Sequence, residues 1–264
     1  MSRTLKYDIP GVDWRVRLGT VKREGWTGIF GADVREPLPL VVEIGFGRGE
    51  FLMNLAAQAP ETAFVGIEYS FKRVLKMARR LARTELRNLR LVEAPAQEVL
   101  RDAIADASVS CFWINFPDPW PKKRHFKRRL IQRKFAALLE RRLAPGGVVQ
   151  IATDHAGYAE WIDALLGQQP GLENLYAPQP FRPAAPGRTT TAYEAEWRAL
   201  GRSLHFFCYE KASTVRAIRS GPGRIQAGAV NCRQGRNNSM RDGEVEADPP
   251  DAPRSPRGSA TRRR

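Results

Sequence analysis

From Leu38 onward, short β-rich runs alternate with amphipathic helical ones, and this alternation restricts the chain more than any other feature. PLPLVVEIGFG (37–47), TAFVGIE (62–68), LRLVEA (89–94), VSCFWINF (109–116) and GGVVQIATD (146–154) read as strands. EFLMNLAAQAP (50–60), SFKRVLKMARRLARTEL (70–86), AQEVLRDAIAD (96–106), KRRLIQRKFAALLERRL (127–143) and HAGYAEWIDALLGQQ (155–169) read as helices, the second with Ser70 as its N-cap. Strands separated by helices pair in parallel through right-handed crossovers. The expected architecture is therefore α/β, a doubly wound and mostly parallel sheet. After Pro170 the texture changes. PQPFRPAAPGRTTT reads as a long loop, YEAEWRALG as a short helix and SLHFFCYEK as a final strand. A helix followed by a strand at that point predicts an antiparallel strand added at the sheet edge.

The flanks read differently. Residues 1–37 mix Arg, Lys, Gly and single tryptophans without sustained periodicity, and a loosely ordered basic arm is expected there. Residues 38–211 form the folded domain. Residues 212–264 are rich in Gly, Pro, Ser and Arg and poor in large apolar side chains, so a disordered Arg-rich tail is expected. The net charge is +15. The last fifty residues hold eleven arginines against five acids, so the preceding 214 still carry +9. A body that is basic in its own right implies an anionic partner, nucleic acid first. The three cysteines, Cys111, Cys208 and Cys232, are odd in number and far apart, and neither they nor the three histidines show metal-ligand spacing. Neither a metal nor a disulfide framework is expected, and a reducing cytoplasmic setting fits. The N-terminus lacks a hydrophobic signal core, and no apolar run approaches the ~18–20 residues that span a bilayer. A monomer or weak homodimer is expected.

Ligands of a doubly wound sheet bind outside the carboxyl ends of its strands. The first such end is Glu43-Ile44-Gly45-Phe46-Gly47-Arg48-Gly49. Glycines let the backbone approach a ligand and open the next helix with free N–H groups. The next strand ends in Glu68, an acid able to accept hydrogen bonds from both hydroxyls of a ribose. A dinucleotide fingerprint wants G-x-G-x-x-G, whereas the order here is G-x-G-x-G followed by Glu50. Glu43 and Glu50 suit a pyrophosphate poorly and a cationic or zwitterionic ligand better. S-adenosylmethionine has a ribose, a sulfonium and an amino group. The turn resembles the first motif of class I S-adenosylmethionine-dependent methyltransferases, of Rossmann-like fold.

The strand VSCFWINF delivers Pro117, Asp118, Pro119 and Trp120 to the same edge, and six cationic side chains follow within Lys122–Arg129. Two prolines stiffen the turn that carries Asp118. Asp118 reads either as a turn residue or as a charged group facing the ligand. Cations at the start of a helix oppose its dipole, so an external anion is expected to compensate, and a phosphate backbone meets that need. Trp120 or Phe126 could stack on a base.

Together, E-I-G-F-G-x-G, G-I-E, F-P-D-P-W-P-K-K-R-H-F-K-R-R, T-D-H and the T-A-Y-E of Thr191–Glu194 resemble the tRNA (guanine-N7-)-methyltransferase family over roughly Leu38–Lys211. The resemblance implies a methyltransferase domain over 38–211 that uses S-adenosyl-L-methionine to methylate N7 of a guanosine in the tRNA variable loop. It implies a cofactor site of Glu43, Gly45, Gly47, Glu68, Pro95, Ala96 and Asp118, with Asp118 also catalytic. It implies a substrate site of Lys122, Asp154, Thr191 and Glu194, with Arg124, His125, Phe126, Lys127, Arg128 and Arg129 toward RNA. No metal is implied. One position departs from the family pattern. The family usually carries Asp or Asn before A-x-E-V-L, and this chain has Pro95, which leaves the contact to the Ala96 backbone. Asp154 has an alternative reading, as the cap of the helix beginning at His155. Two competing functions are an exocyclic-amine RNA or DNA methyltransferase and an inactive RNA-binding protein on the same fold. The first expects a polar-Pro-Pro-aromatic turn where Pro-Asp-Pro-Trp stands.

Overall fold

The computed structural model describes residues 7–34, 40–185 and 187–213. Its centre is one seven-stranded sheet of order β3-β2-β1-β4-β5-β7-β6. β1 (Leu40–Ile44), β2 (Ala63–Glu68), β3 (Leu89–Glu93), β4 (Val109–Asn115) and β5 (Leu143–Thr153) are parallel. β7 (His205–Lys211) runs antiparallel to β5, and β6 (Leu172–Asn174) antiparallel to β7. The antiparallel strand foreseen at the edge thus lies one place inside it. The edge is the three-residue β6, to which the sequence reading assigned no element.

β1 and β2 are buried along their whole length. Such continuous apolar runs are what helices on both faces of a parallel sheet require. α2 (Glu50–Gln58) and α3 (Phe71–Leu81) cover one face through Leu52, Leu55, Val74, Met77 and Leu81. α4 (Ala96–Asp102), α5 (Arg133–Arg142) and α6 (Ala156–Leu166) cover the other, burying Val99, Phe135, Leu139, Tyr158 and Ile162. α3 and α4 stop short of their sequence expectations, and Ser70 caps α3 by position without a side-chain bond.

Two expectations need correction. Residues 7–34 are not a loose arm. α1 (Leu18–Phe30) buries Val21, Trp26 and Phe30 in the core, and the Trp26 indole donates to the Ala103 carbonyl at 2.8 Å. Upstream, the chain pairs with β3 as an isolated parallel bridge at Arg15: Val16 donates its N–H to the Leu91 carbonyl at 2.8 Å, and Leu91 donates its own to the Trp14 carbonyl at 3.1 Å. The second correction is the helix expected over 127–143. Lys123–Arg128 is a 3₁₀ turn, and α5 begins only at Arg133. Between them α6 holds the chain extended: Ile131 donates its N–H to the Tyr158 hydroxyl and accepts from the Trp161 indole at 2.7 Å. Residues 1–6, 35–39, 186 and 214–264, including the Arg-rich tail and Cys232, lie outside the described residues. Among the described residues no helix is long and apolar enough to cross a membrane.

Candidate active site

β1 sits where the strand order reverses, between β2 and β4, and the site opens at that switch point. A cavity of about 480 Å³ is lined by Ile44 at the end of β1 and Gly45 after it, Glu68 from β2, Ala94–Gln97 after β3, Asn115 at the end of β4, and Phe116–Asp118 with Trp120 after it. These side chains are scattered over some seventy-five positions of sequence (roughly, as chain length alone separates them), and the sheet gathers them at one edge.

The β1 turn is built from glycines. Gly45, Gly47 and Gly49 have φ of 76°, 55° and 76°, a region closed to most side chains. Gly49 has a second reason: a Cβ there would lie 2.0 Å from the Met77 sulfur, so α2 and α3 can approach only over a glycine. The turn is tied to Glu68. That carboxylate is 2% exposed, accepts from the N–H of Ser70 at 3.0 Å and of Gly47 at 3.4 Å, and pairs with Arg73 at 3.4 Å. It is held in place while still lining the cavity.

Glu43 lies one residue before the end of β1 and does not itself line the cavity. It is fully buried behind Asn115, whose amide donates to Glu43 Oε1 at 2.9 Å, and Oε2 has no hydrogen-bond partner. Burial raises its pKa to about 7, against the lowering effects of the Asn115 hydrogen bond and the Arg188 charge. Pro95 and Ala96 both line the cavity, where Pro95 precedes α4 and so contributes no donor.

The β4 turn is built without glycine. Phe116 and Trp120 have φ of 51° and 42°, bracketing Pro117-Asp118-Pro119. Left-handed backbone at large side chains stores strain that the surroundings must hold. Phe116 donates its N–H to Ala152 at 2.9 Å, and its ring meets Tyr193 at 4.7 Å. The Pro119 carbonyl accepts from Arg129 Nε at 2.8 Å, and the Arg128 guanidinium lies 5.0 Å over the Trp120 ring. Asp118 is exposed at the crest of this turn and lines the cavity.

The basic run divides. Lys122, Lys123, Arg124, Lys127 and Arg128 are exposed, and no carboxylate among the described residues forms a salt bridge with them. Arg129 departs from its expected RNA-facing role. It is 3% exposed, and its guanidinium packs 3.8, 4.9 and 5.1 Å from the rings of Phe126, Tyr158 and Trp161. Phe126 is half-buried in the same cluster, and His125 meets the Trp120 ring edge-on at 5.6 Å.

The last group comes from α7 (Ala192–Ala199). Thr191 caps that helix, accepting from the Glu194 N–H at 3.0 Å. Glu194 is not turned outward as a direct substrate ligand. It is 5% exposed and its carboxylate is taken by Arg188 and Arg198. Asp154 does not cap α6, because the His155 ring accepts from Tyr158 N instead; Asp154 pairs with Arg202 at 3.1 Å. Arg188 and Asn115, which sequence reasoning did not single out, join the two halves of the site. Arg188 donates to Asn115 Oδ1 at 2.6 Å. The available signals were an amide ending an apolar strand and an arginine three residues before Thr191 in a Pro/Gly-rich loop. Among the described residues no cluster of three His, Cys, Asp or Glu is placed to hold a metal.

A parallel sheet with its last strands antiparallel, and a cavity at the switch point walled by a glycine turn and an acid on the next strand, define a class I methyltransferase. A family model described as "Putative methyltransferase" matches residues 37–207. The chain belongs to the tRNA (guanine-N(7)-)-methyltransferase family. Relatives of that name include proteins from Magnetococcus marinus (41% identical over 172 residues, 65% of this chain and 68% of the relative) and Pseudomonas putida (39% over 173 residues, 66% and 72%). Another is from Halorhodospira halophila (40% over 182 residues, 69% and 77%). Among solved structures, the 16S rRNA methyltransferase KamB aligns with a TM-score of 0.49 and 13% identity, covering 69% of this chain and 91% of that one.

Proposed function

We propose that this enzyme transfers a methyl group from S-adenosylmethionine to N7 of a guanosine in the variable loop of tRNA. The observation that carries the reading is the single cavity that joins Glu68 and the glycine turn to Asp118, with five exposed cations following directly after. The groups present fit the methyl donor. Glu68 offers acceptors to a ribose diol. Glu43, with one carboxylate oxygen unpartnered behind Asn115, favours a cationic amino acid moiety over a pyrophosphate.

Bound there, S-adenosylmethionine supplies a sulfonium methyl that the in-plane lone pair of guanine N7 takes, the S–C electron pair staying on sulfur as a thioether. N7 carries no proton, so no general base is required of the protein. Positive charge arrives on the purine, and a carboxylate already placed beside it lowers the barrier without reorganising. Asp118 is that carboxylate, held at the crest of a turn braced from below by Arg129. Lys122, Arg124, Lys127 and Arg128 engage phosphates. Trp120 lines the cavity and the exposed Tyr193 packs on Phe116, which lines it too, while Thr191, Asp154 and Glu194 shape the segment that receives the nucleoside. The remaining contribution is alignment of two bound reactants.

The test is methyl transfer from labelled cofactor to unmodified tRNA, with the product nucleoside identified by mass spectrometry. 7-methylguanosine from the variable loop is the expected product. An N-methylated exocyclic amine, or cofactor binding with no transfer to any tRNA, would overturn the reading.

A further inference from the structure

Four hydrogen-bonded contacts cross the molecule from β1 to α7. Glu43 Oε1 accepts from Asn115, Asn115 Oδ1 accepts from Arg188, Arg188 donates to Glu194, and Glu194 accepts from Arg198. The central member is Arg188. Its side chain is 5% exposed, and its guanidinium lies 5.2, 5.7 and 5.2 Å from the rings of Phe51, Trp113 and Phe206. A guanidinium withdrawn this far from water needs negative charge and hydrogen bonds around it. Arg188 spends its two terminal nitrogens on different elements: one on the strand end that lines the cavity, the other on the first turn of α7. An ammonium on a single stem cannot reproduce that fork.

We infer that Arg188 is a positioning residue, which locks the Thr191–Glu194 segment to the cavity-facing ends of β1 and β4 and so aligns the nucleoside with the methyl donor. The inference rests on the proposed function and deepens it. A second contact runs parallel to the lock: Tyr193, one residue before Glu194, packs on Phe116, which follows Asn115. The segment is therefore docked by an apolar contact and set in register by the arginine.

The arrangement has an electrical consequence that a merely structural arginine would not show. The groups that act on Glu43 are Asn115 from β4, Arg188 from the loop before α7, and Glu68 from β2. Arg188 is the one cation among them. It favours ionised Glu43, and ionised Glu43 favours a cationic ligand.

The experiment uses the full chain and the variants Arg188→Met and Arg188→Lys. S-adenosylmethionine affinity is measured from pH 6 to pH 9 without RNA, and kcat and KM for tRNA are measured at pH 8.5. For Arg188→Met, the pH below which cofactor affinity declines should move up by about one unit, since an adjacent opposite charge typically shifts a carboxyl by that much or more. At pH 8.5, affinity should stay within about twofold of the parent while kcat falls about tenfold or more, as expected for lost alignment. Arg188→Lys should keep the parent's pH midpoint and still lose most of kcat, because the charge remains and the fork is gone. An unmoved midpoint together with parental kcat in Arg188→Met overturns the inference, as does affinity lost equally at every pH. Should Arg188→Met fail to fold, parental kcat in Arg188→Lys overturns it alone. The cofactor measurement needs no tRNA. A parent that binds the cofactor but makes a different nucleoside would therefore sink the proposed product and leave the midpoint shift to decide on Arg188.

Discussion

The ends of β1 and β4 reach the same cavity through turns of opposite construction. After β1, three positive-φ positions are glycines, and the cavity is walled there by Gly45 and by the Glu68 carboxylate of the neighbouring strand. After β4, two positive-φ positions keep large aromatic side chains, and the strain is held by an arginine beneath, an arginine above and a tyrosine alongside. The difference separates two tasks. Where a ligand approaches backbone, side chains are removed and the turn costs little. Where side chains must project at fixed angles, the strained backbone is retained and braced.

The largest expected effect tests the β4 turn at its crest. Asp118→Ala should cut methyl transfer by ~10²-fold or more, as loss of a preplaced charge does, with an unchanged melting temperature because the side chain is exposed. Turnover near the parent's in a folded variant would remove Asp118 from catalysis. The brace beneath is next. Arg129→Met should destabilise the fold by about 2 kcal/mol through the lost buried hydrogen bond and ring contacts, read as a lower denaturation midpoint. Neutralising Lys123, Arg124 and Lys127 together, which leaves Arg128 on the Trp120 ring, should instead weaken tRNA binding and leave that midpoint alone. If the two variants behaved alike, the division of the run into one buried and five exposed cations would be wrong.

Trp120→Gly discriminates between the two kinds of turn. It relieves the backbone at φ 42°. If the ring is needed, kcat/KM should fall about tenfold, the scale of a lost base-stacking contact. Parental kcat/KM would make Trp120 a tolerated accident of the turn. The smallest effect concerns the β1 end. Glu43 has a folded-state pKa near 7, raised from 4.5 by burial, so the native state holds a proton that the unfolded chain has released. Stability should therefore decline as pH rises from about 4.5 to about 7 and level off above that window. Glu43→Gln should flatten that part of the decline in melts of the cofactor-free protein, and an identical slope in the two proteins would place the titration elsewhere.

Much of the β1 side was legible in the sequence, because glycine spacing and an acid at the next strand's end are local signals that the sheet carries to a known edge. The N-terminal helix was not. Its buried residues Val21, Trp26 and Phe30 fall outside one helical period because Gly25 (φ 66°, ψ 171°) breaks the helix between them. The 3₁₀ turn at Lys123–Arg128 escaped for another reason: the tethers that pull Ile131 out of helix come from Tyr158 and Trp161, some thirty residues away. Arg129 and Glu194 mark a third limit. One arginine in a run of cations, and one acid in a motif, look the same in sequence whether they face solvent or a partner inside the fold. Only the packing of α6 and of the loop before α7 tells them apart.

The inward turn of Arg129 also changes a quantity measured on the bench. Each phosphate neutralised by a side chain releases condensed counterions from the RNA, and the salt dependence of binding counts those events. Counted from sequence, the run offers six; counted from the fold, it offers the five exposed cations Lys122, Lys123, Arg124, Lys127 and Arg128. The run's share of the slope of log K against log salt is therefore limited to roughly −3.5 on single-stranded and −4.5 on duplex nucleic acid. Any steeper dependence must be supplied by cations elsewhere on this basic chain.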